Sequence, residues 1–225
     1  MHERKQANWR ERLRLWGWRR SLYWLLMSAL ARLGLRLHRV DTAPYRNRTP
    51  AAQLPDGYRT GYVPLAELQA MLPVDGLNSA FLKQAEAHGD ICVANFYLDQ
   101  LVGYSFYARA RARVTDQLDI LVPRGFEYVY KSWTHPEHRR RHLNKARANL
   151  HQPAALTPVW YVETHNYASL LTHYRYPAGR PLRAGYLGWF SVLGRHLPFT
   201  SRQAKRLGLR LVRNAHDGRL WHTEL

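Results

Sequence analysis

The chain has 225 residues, 46% of them hydrophobic, with 8 Trp and 14 Tyr; it can bury one sizeable core and carries too many large apolar rings for a disordered tail. Lysine and arginine number 34 against 16 acidic residues, a formal net charge of +18, so the partners to expect are anionic: nucleic acid, anionic lipid or a phosphorylated ligand. A single cysteine, Cys92, excludes a disulfide framework within the chain and a cysteine zinc site.

The N-terminal stretch Trp9 to Leu37 predicts a basic amphipathic helix. Trp9, Leu13, Trp16, Tyr23, Met27 and Leu30 recur at helical spacing, with Arg10, Arg12, Arg14, Arg19, Arg20, Arg32 and Arg36 around them. Its uncharged run, Ser21 to Ala31, would be about 16 Å long as a helix, half the hydrocarbon core, and cannot span a bilayer alone. The run has the look of a signal-peptide core, but Arg32, Arg36 and Arg39 crowd the side that would have to cross. Two readings stay open: residues 9–37 lie on an anionic membrane surface, or the helix packs on the domain with its arginines solvated.

Residues 1–40 are thus read as a helical appendage and 41–56, with Pro44, Pro50 and Pro55, as a linker. The domain is expected over 57–198, followed by a basic tail over 199–225 that carries Arg202, Lys205, Arg206, Arg210 and Arg213. Within the domain, strands are predicted at Tyr58 to Val63, Ile91 to Leu98 and Leu101 to Ala108, the last two joined by a tight turn at Asp99-Gln100. Helices are predicted from Pro64 to Met71 and from Leu77 to His88. Phe126 to Thr134, rich in aromatic and β-branched residues, predicts a central strand that Pro136 ends. A basic helix from Glu137 to His151, a strand at Pro158 to Thr164, a helix at Asn166 to Tyr174 and a strand at Tyr186 to Leu193 complete the order. Cys92 sits in an apolar strand and reads as core. The whole is a mixed α/β sheet flanked by helices.

Thr134 to Asn144 (THPEHRRRHLN) joins strand to helix. It resembles the loop of the GNAT superfamily of acyltransferases, Q/R-x-x-G-x-G/A, with Arg139 on the Q/R position. The family glycines are replaced by His142 and Asn144, and Arg140 replaces another common glycine. Asn166, Ser169, His173 and Tyr174 are similar to a second family motif after the following strand. The resemblance covers Tyr58 to about Leu193.

The resemblance implies acyl transfer from acetyl-CoA, or another acyl-CoA, to the primary amine of a small molecule, sugar or lipid, by direct attack in a ternary complex. Arg139, Arg140, Arg141, His142, Leu143, Asn144, Asn166 and Ser169 would bind the CoA. A backbone amide in the stretch Ser132, Trp133, Thr134 would hold the oxyanion. Tyr174 or His173 would protonate the thiolate, and Glu127 or Glu163 would take the amine proton unless water does. Physics supports the anion site independently, because a helix N-terminus offers unpaired amides and partial positive charge. His135, His138 and His142 have tempting spacing, but lack a carboxylate or cysteine partner set, so no metal is expected. A catalytically inactive GNAT-like protein and a basic nucleic-acid binder are the competing readings; no helix-turn-helix, zinc or RNA-binding signature supports the latter. Acyl-CoA chemistry implies a cytoplasmic protein, peripheral to the inner membrane surface if the helix lies there.

Overall fold

A computed structural model describes residues 9–42, 53–151, 153, 155–167, 169–170 and 182–214. The elements are α1 (Trp9–Arg32), β1 (Leu35–Thr42), β2 (Tyr58–Tyr62), α2 (Leu65–Ala70), α3 (Ser79–Ala87), β3 (Ile91–Tyr97), β4 (Gln100–Ala108), β5 (Arg111–Arg113), β6 (Leu118–Leu121), β7 (Phe126–Thr134), a 3-10 turn (Pro136–His138), α4 (Leu143–Leu150), β8 (Thr157–Glu163), β9 (Leu182–Val192), β10 (Arg195–Thr200), α5 (Arg202–Arg206) and β11 (Arg210–Arg213). The architecture is the mixed α/β sheet with flanking helices that the sequence predicts.

Eight strands form one sheet in the order β10-β9-β1-β8-β7-β4-β3-β2, and β11-β6-β5 form a smaller one. The pairings are antiparallel except β7 with β8, which is parallel. The β3–β4 hairpin turns at Leu98 and Asp99, both left-handed (φ 44° and 67°), one residue earlier than expected. Two positive-φ residues give the primed turn whose twist matches its strands. Asn78 caps α3 by accepting the Phe81 amide at 2.8 Å. The core joins the large sheet to α2, α3 and the small sheet, with Leu68, Leu82, Tyr104, Phe106, Leu118 and Ile120 fully buried.

Besides the unexpected strands β5, β6 and β10 and an earlier start of β9, at Leu182 rather than Tyr186, three boundaries differ from the sequence reading. The N-terminal helix ends at Arg32 rather than Leu37, and Leu35–Thr42 is a strand inside the large sheet. Gly34 (φ 93°) provides the left-handed stop, and Val40 is wholly buried between β8 and β9. The N-terminal segment is therefore partly built into the domain expected to begin at residue 57. The expected tail likewise packs down: Ser201 caps α5 by accepting the Ala204 amide at 3.4 Å, Ala204 and Leu209 are buried, and β11 pairs with β6. Finally, the helix expected from Glu137 breaks into the 3-10 turn and α4, because Arg140 and His142 are left-handed (φ 66° and 58°). A right-handed helix cannot pass through such residues. Arg139, Arg140 and Arg141 thus precede α4 rather than forming its first turn.

Candidate functional site

The parallel pair sets the geometry. β7 and β8 are in register only at Phe126↔Thr157, Glu127↔Pro158 and Tyr128↔Val159. Beyond that point β7 follows β4, and β8 follows β1 through Val159↔Thr42 to Glu163↔His38. The two strands part toward their C-terminal ends, the side on which open α/β sheets receive ligands. On β7, Tyr130 faces Phe106 and Trp133 faces Tyr104, so Lys131 and Ser132 together oppose Ser105. Lys131 takes a left-handed φ of 51°. This β-bulge re-aims the strand beside the opening.

At the end of β7 the chain makes a basic turn. Arg139 Nε donates to the Thr134 carbonyl at 3.2 Å, and Arg139, Arg140 and Arg141 are exposed. The Arg141 guanidinium lies over the Tyr58 ring, 5.5 Å from its centroid. His142, the N-cap of α4, makes no side-chain capping bond. The loop therefore delivers three cations to a helix start that its own N-cap side chain leaves open. The left-handed conformations of Arg140 and His142 each cost about 1–2 kcal/mol relative to ordinary backbone, and such strain collects at ligand clamps. Arg140 and His142 are two of the positions that the sequence resemblance sets against glycines, and both take a positive φ.

A buried arginine holds this loop to the sheet, and sequence reasoning missed it. Arg147 on α4 is 1% exposed. Its Nε donates to Ser105 Oγ at 2.9 Å, Nη2 to Thr134 Oγ1 at 3.3 Å and to Asn144 Oδ1 at 3.2 Å, and Nη1 to Asn95 Oδ1. Ser105 Oγ meets Ser132 Oγ at 2.9 Å. One guanidinium so ties β3, β4, the end of β7 and the first turn of α4 together. Room for it comes from Gly103, where a Cβ would lie 2.5 Å from Arg147 Nη1. In the sequence Arg147 looks like one more cation on a basic helix; only its fourfold spacing from Leu143, which is also buried, marks its face.

The two candidate bases stand at opposite ends of the opening. Glu127 is at the closed end, fully buried, accepting from Arg109 Nε at 3.1 Å and contacting His151 Nε2 at 2.9 Å. His151 Nδ1 in turn meets the hydroxyl of the exposed Tyr62 at 3.1 Å. Glu163 is at the open end of β8, part-exposed, accepting from Arg36 Nη1 at 3.1 Å with His165 Nε2 at 3.7 Å. Ser132 and Trp133 lie in and just after the bulge, and Trp133 Nε1 donates to Asp75 Oδ2 at 3.1 Å. Asn166 Oδ1 accepts the Ser169 amide at 3.2 Å, the opening of the expected helix. His173 and Tyr174 lie outside the described residues.

His135, Glu137 and His138 bring three ligand atoms within 4.8 Å of one another. Glu137 thus supplies the carboxylate that the three-histidine spacing lacked, while Tyr58 OH already meets His138 Nδ1 at 2.7 Å. Partial desolvation and the neighbouring His135 and Arg141 charges lower the His138 pKa, against Glu137, which raises it.

Comparison with protein families gives no match, and no curated protein matches the chain. Solved structures that match include a tandem GNAT protein from the clavulanic acid biosynthesis pathway (12% identity, 61% of this chain and 48% of that one, TM-score 0.43). A GCN5-related N-acetyltransferase-like protein from Streptococcus suis matches at 13% identity over 72% of this chain and 64% of that one, TM-score 0.46. A GCN5-related N-acetyltransferase from Kribbella flavida matches at 15% identity over 61% and 53%, TM-score 0.37. The matched part spans about half to two-thirds of those chains.

Proposed function

We propose that the protein is an acyl-CoA-dependent N-acyltransferase that moves an acyl group, acetyl in the simplest case, to a primary amine. One observation carries this reading: a bulged strand leaves its parallel neighbour, enters an arginine turn with two left-handed residues, and opens α4 with an N-cap that makes no side-chain bond. That combination supports a diphosphate site at the start of α4 and a thioester arm running between the parting strands. The sequence resemblance of Thr134 to Asn144 and of Asn166 to Tyr174 supports the same reading.

In this proposal Arg139, Arg140 and Arg141, with the amides of His142, Leu143 and Asn144, hold the CoA phosphates, and Asn166 and Ser169 line the other side of the arm. The amine nitrogen attacks the thioester carbonyl, and the developing oxyanion is met by a backbone amide in the stretch Ser132 to Thr134. The C–S bond breaks, and the thiolate takes a proton from Tyr174 or His173. Glu163 is the favoured acceptor of the amine proton because it stands part-exposed at the open end of β8. Glu127 serves only through a relay along His151 and Tyr62. The acceptor amine belongs to a small molecule, sugar or lipid.

The test is calorimetric titration of the full chain with CoA and acetyl-CoA, followed by thiol release in the presence of a panel of primary amines. Binding that falls about tenfold in Arg139→Ala or Arg141→Ala, a loss of one charge-assisted contact, is the expected result. No binding of either CoA species overturns the proposal. Binding with no thiol release from any amine assigns the chain to the inactive reading.

A further inference from the structure

We infer that the outward face of α1 and the adjoining tip of the β9–β10 hairpin form one docking surface for an anionic lipid bilayer, which the chain enters at headgroup depth. This goes beyond the acyl-transfer reading and does not depend on it. Gly17 (φ 76°, ψ 168°) kinks α1, and in the helical stretch that follows Met27 is buried. Trp18, Leu22, Leu25 and Ala29 fall at i, i+4, i+7 and i+11, a single stripe on the side away from Met27. The stripe is bare: Trp18 is 64% exposed, Leu22 56% and Leu25 43%, with Leu26 beside them at 54%.

The apolar surface continues past the helix. Gly34 turns the chain straight into β1, and the Ser191 amide donates to the Gly34 carbonyl at 2.9 Å. The end of α1 therefore abuts β9 just before the hairpin tip. Leu33 at that junction is 70% exposed, Leu193 at the tip is 98% exposed, and Phe190 and Val192 are exposed between them. Leu193 is also left-handed (φ 47°) and precedes Gly194 (φ 75°) in a two-residue turn. Asn, Asp or Gly suits that position; Leu193 stands there instead, as Leu98 does in the β3–β4 turn, and is the more exposed of the two.

Charge identifies the occupant. Arg19 and Arg32 fall on the two margins of the stripe, and Arg195 flanks the tip; all are exposed. A second copy laid stripe to stripe would bring these guanidinium rows together, whereas phosphate headgroups neutralise them. Tryptophan and arginine around an aliphatic face suit the headgroup layer, where the stems stay in the apolar zone and the heads in the polar one. No helix among the described residues is long and apolar enough to cross a membrane, so the geometry is that of a surface-lying element.

The test is cosedimentation of the full chain with phosphatidylcholine vesicles with and without phosphatidylglycerol. Wild type is expected to pellet with the anionic vesicles. Leu193→Asp, and separately the pair Leu22→Asp and Leu25→Asp, are expected to weaken partition by about tenfold or more, with melting temperatures unchanged because these side chains touch water already. The emission of Trp18, read as wild type minus Trp18→Phe, is expected to shift to the blue on adding anionic vesicles, a readout that needs no aspartate variant to fold. Overturning results are no pelleting of wild type, pelleting of both aspartate variants as strong as wild type, or no shift from Trp18. A dimer in sedimentation velocity that only the stripe variant dissolves, with vesicle binding untouched, would give the face to a second copy instead.

Discussion

In the half of the large sheet made by β2, β3, β4 and β7, the strands lie side by side in chain order, with α2 and α3 between β2 and β3 and a hairpin joining β3 to β4. In the other half, β1 comes from the N-terminal segment and lies between β8 and β9, which arrive much later. The interiors differ as well. The first half buries polar groups under α4, where Asn95, Ser105, Glu127, Arg147 and His151 satisfy one another. In the second half, buried His38 on β1 stacks on Trp189 (4.9 Å between centroids) and meets Tyr161 edge-on (4.6 Å). A directional network is suited to fixing a loop in one conformation, whereas an apolar stack fixes a strand's position through burial alone. The proposed site lies where the two meet, at the parting of β7 and β8.

The largest expected effects test each half at its centre. Val40→Asp places an unpartnered charge at a wholly buried position between β8 and β9, and is expected to cost about 4 kcal/mol or more of unfolding free energy in urea denaturation. A shift under about 0.5 kcal/mol, the usual range of surface changes, would mean that β1 is not an interior strand. Arg147→Ala is expected to cost about 3 kcal/mol, because Asn95 and Ser105 are left buried without their donor. It should also weaken CoA binding, since Thr134 and Asn144 lose the group that joins them. The same substitution with unchanged affinity would separate the network from the loop.

One buried group from each half, Asp90 and His38, answers pH in opposite directions. Asp90, which accepts from the Tyr130 hydroxyl, is pushed up to about 7 by burial. The folded state therefore holds its proton more tightly than the unfolded chain, and stability falls as pH rises from about 4 to 7. His38 is lowered to about 4 by burial, with the Arg36 and His165 charges adding to it. There the unfolded chain binds the proton better, so stability is full above about 6.5 and is lost as pH falls toward 4. Asp90→Asn is expected to raise stability at pH 8 by about 2 kcal/mol, half the value that the full shift would give, and to change it little at pH 4. A variant whose gain is equal at both values would break the assignment of the alkaline loss to Asp90.

The same division governs what could be read from the residues. β3, β4 and β7 were legible to within a residue because alternation and β-branched runs mark them and their partners are close by. β1 was not. Leu35, Leu37 and Arg36 do alternate, but they follow a helix on the same chain, and the strands that bury Val40 are distant in sequence. In the site, Arg139 to Asn144 could be located from type and spacing. The left-handed φ values of Arg140 and His142 could not, since neither residue is glycine. Nor could the roles of Arg147, Arg109 and Tyr62, whose partners are set by sheet register rather than by local pattern.

The smallest expected effect is the most informative about the loop. Arg140→Gly and His142→Gly each remove a side chain from a left-handed residue (φ 66° and 58°). Relief of about 1 kcal/mol is offset in part by the freedom glycine gains in the unfolded chain, so each is expected to stabilise by about 0.5 kcal/mol in urea denaturation. Their effects on CoA affinity should diverge. His142 contributes a ring whose removal leaves the loop cations in place, so His142→Gly is expected to keep or improve binding. Arg140→Gly gives up one of three cations, all exposed, and is expected to weaken binding by about tenfold, as Arg139→Ala and Arg141→Ala are. If both variants instead destabilise the fold, the two positions owe their positive φ to contacts made by the side chains themselves, and the likeness to a glycine loop ends at the backbone.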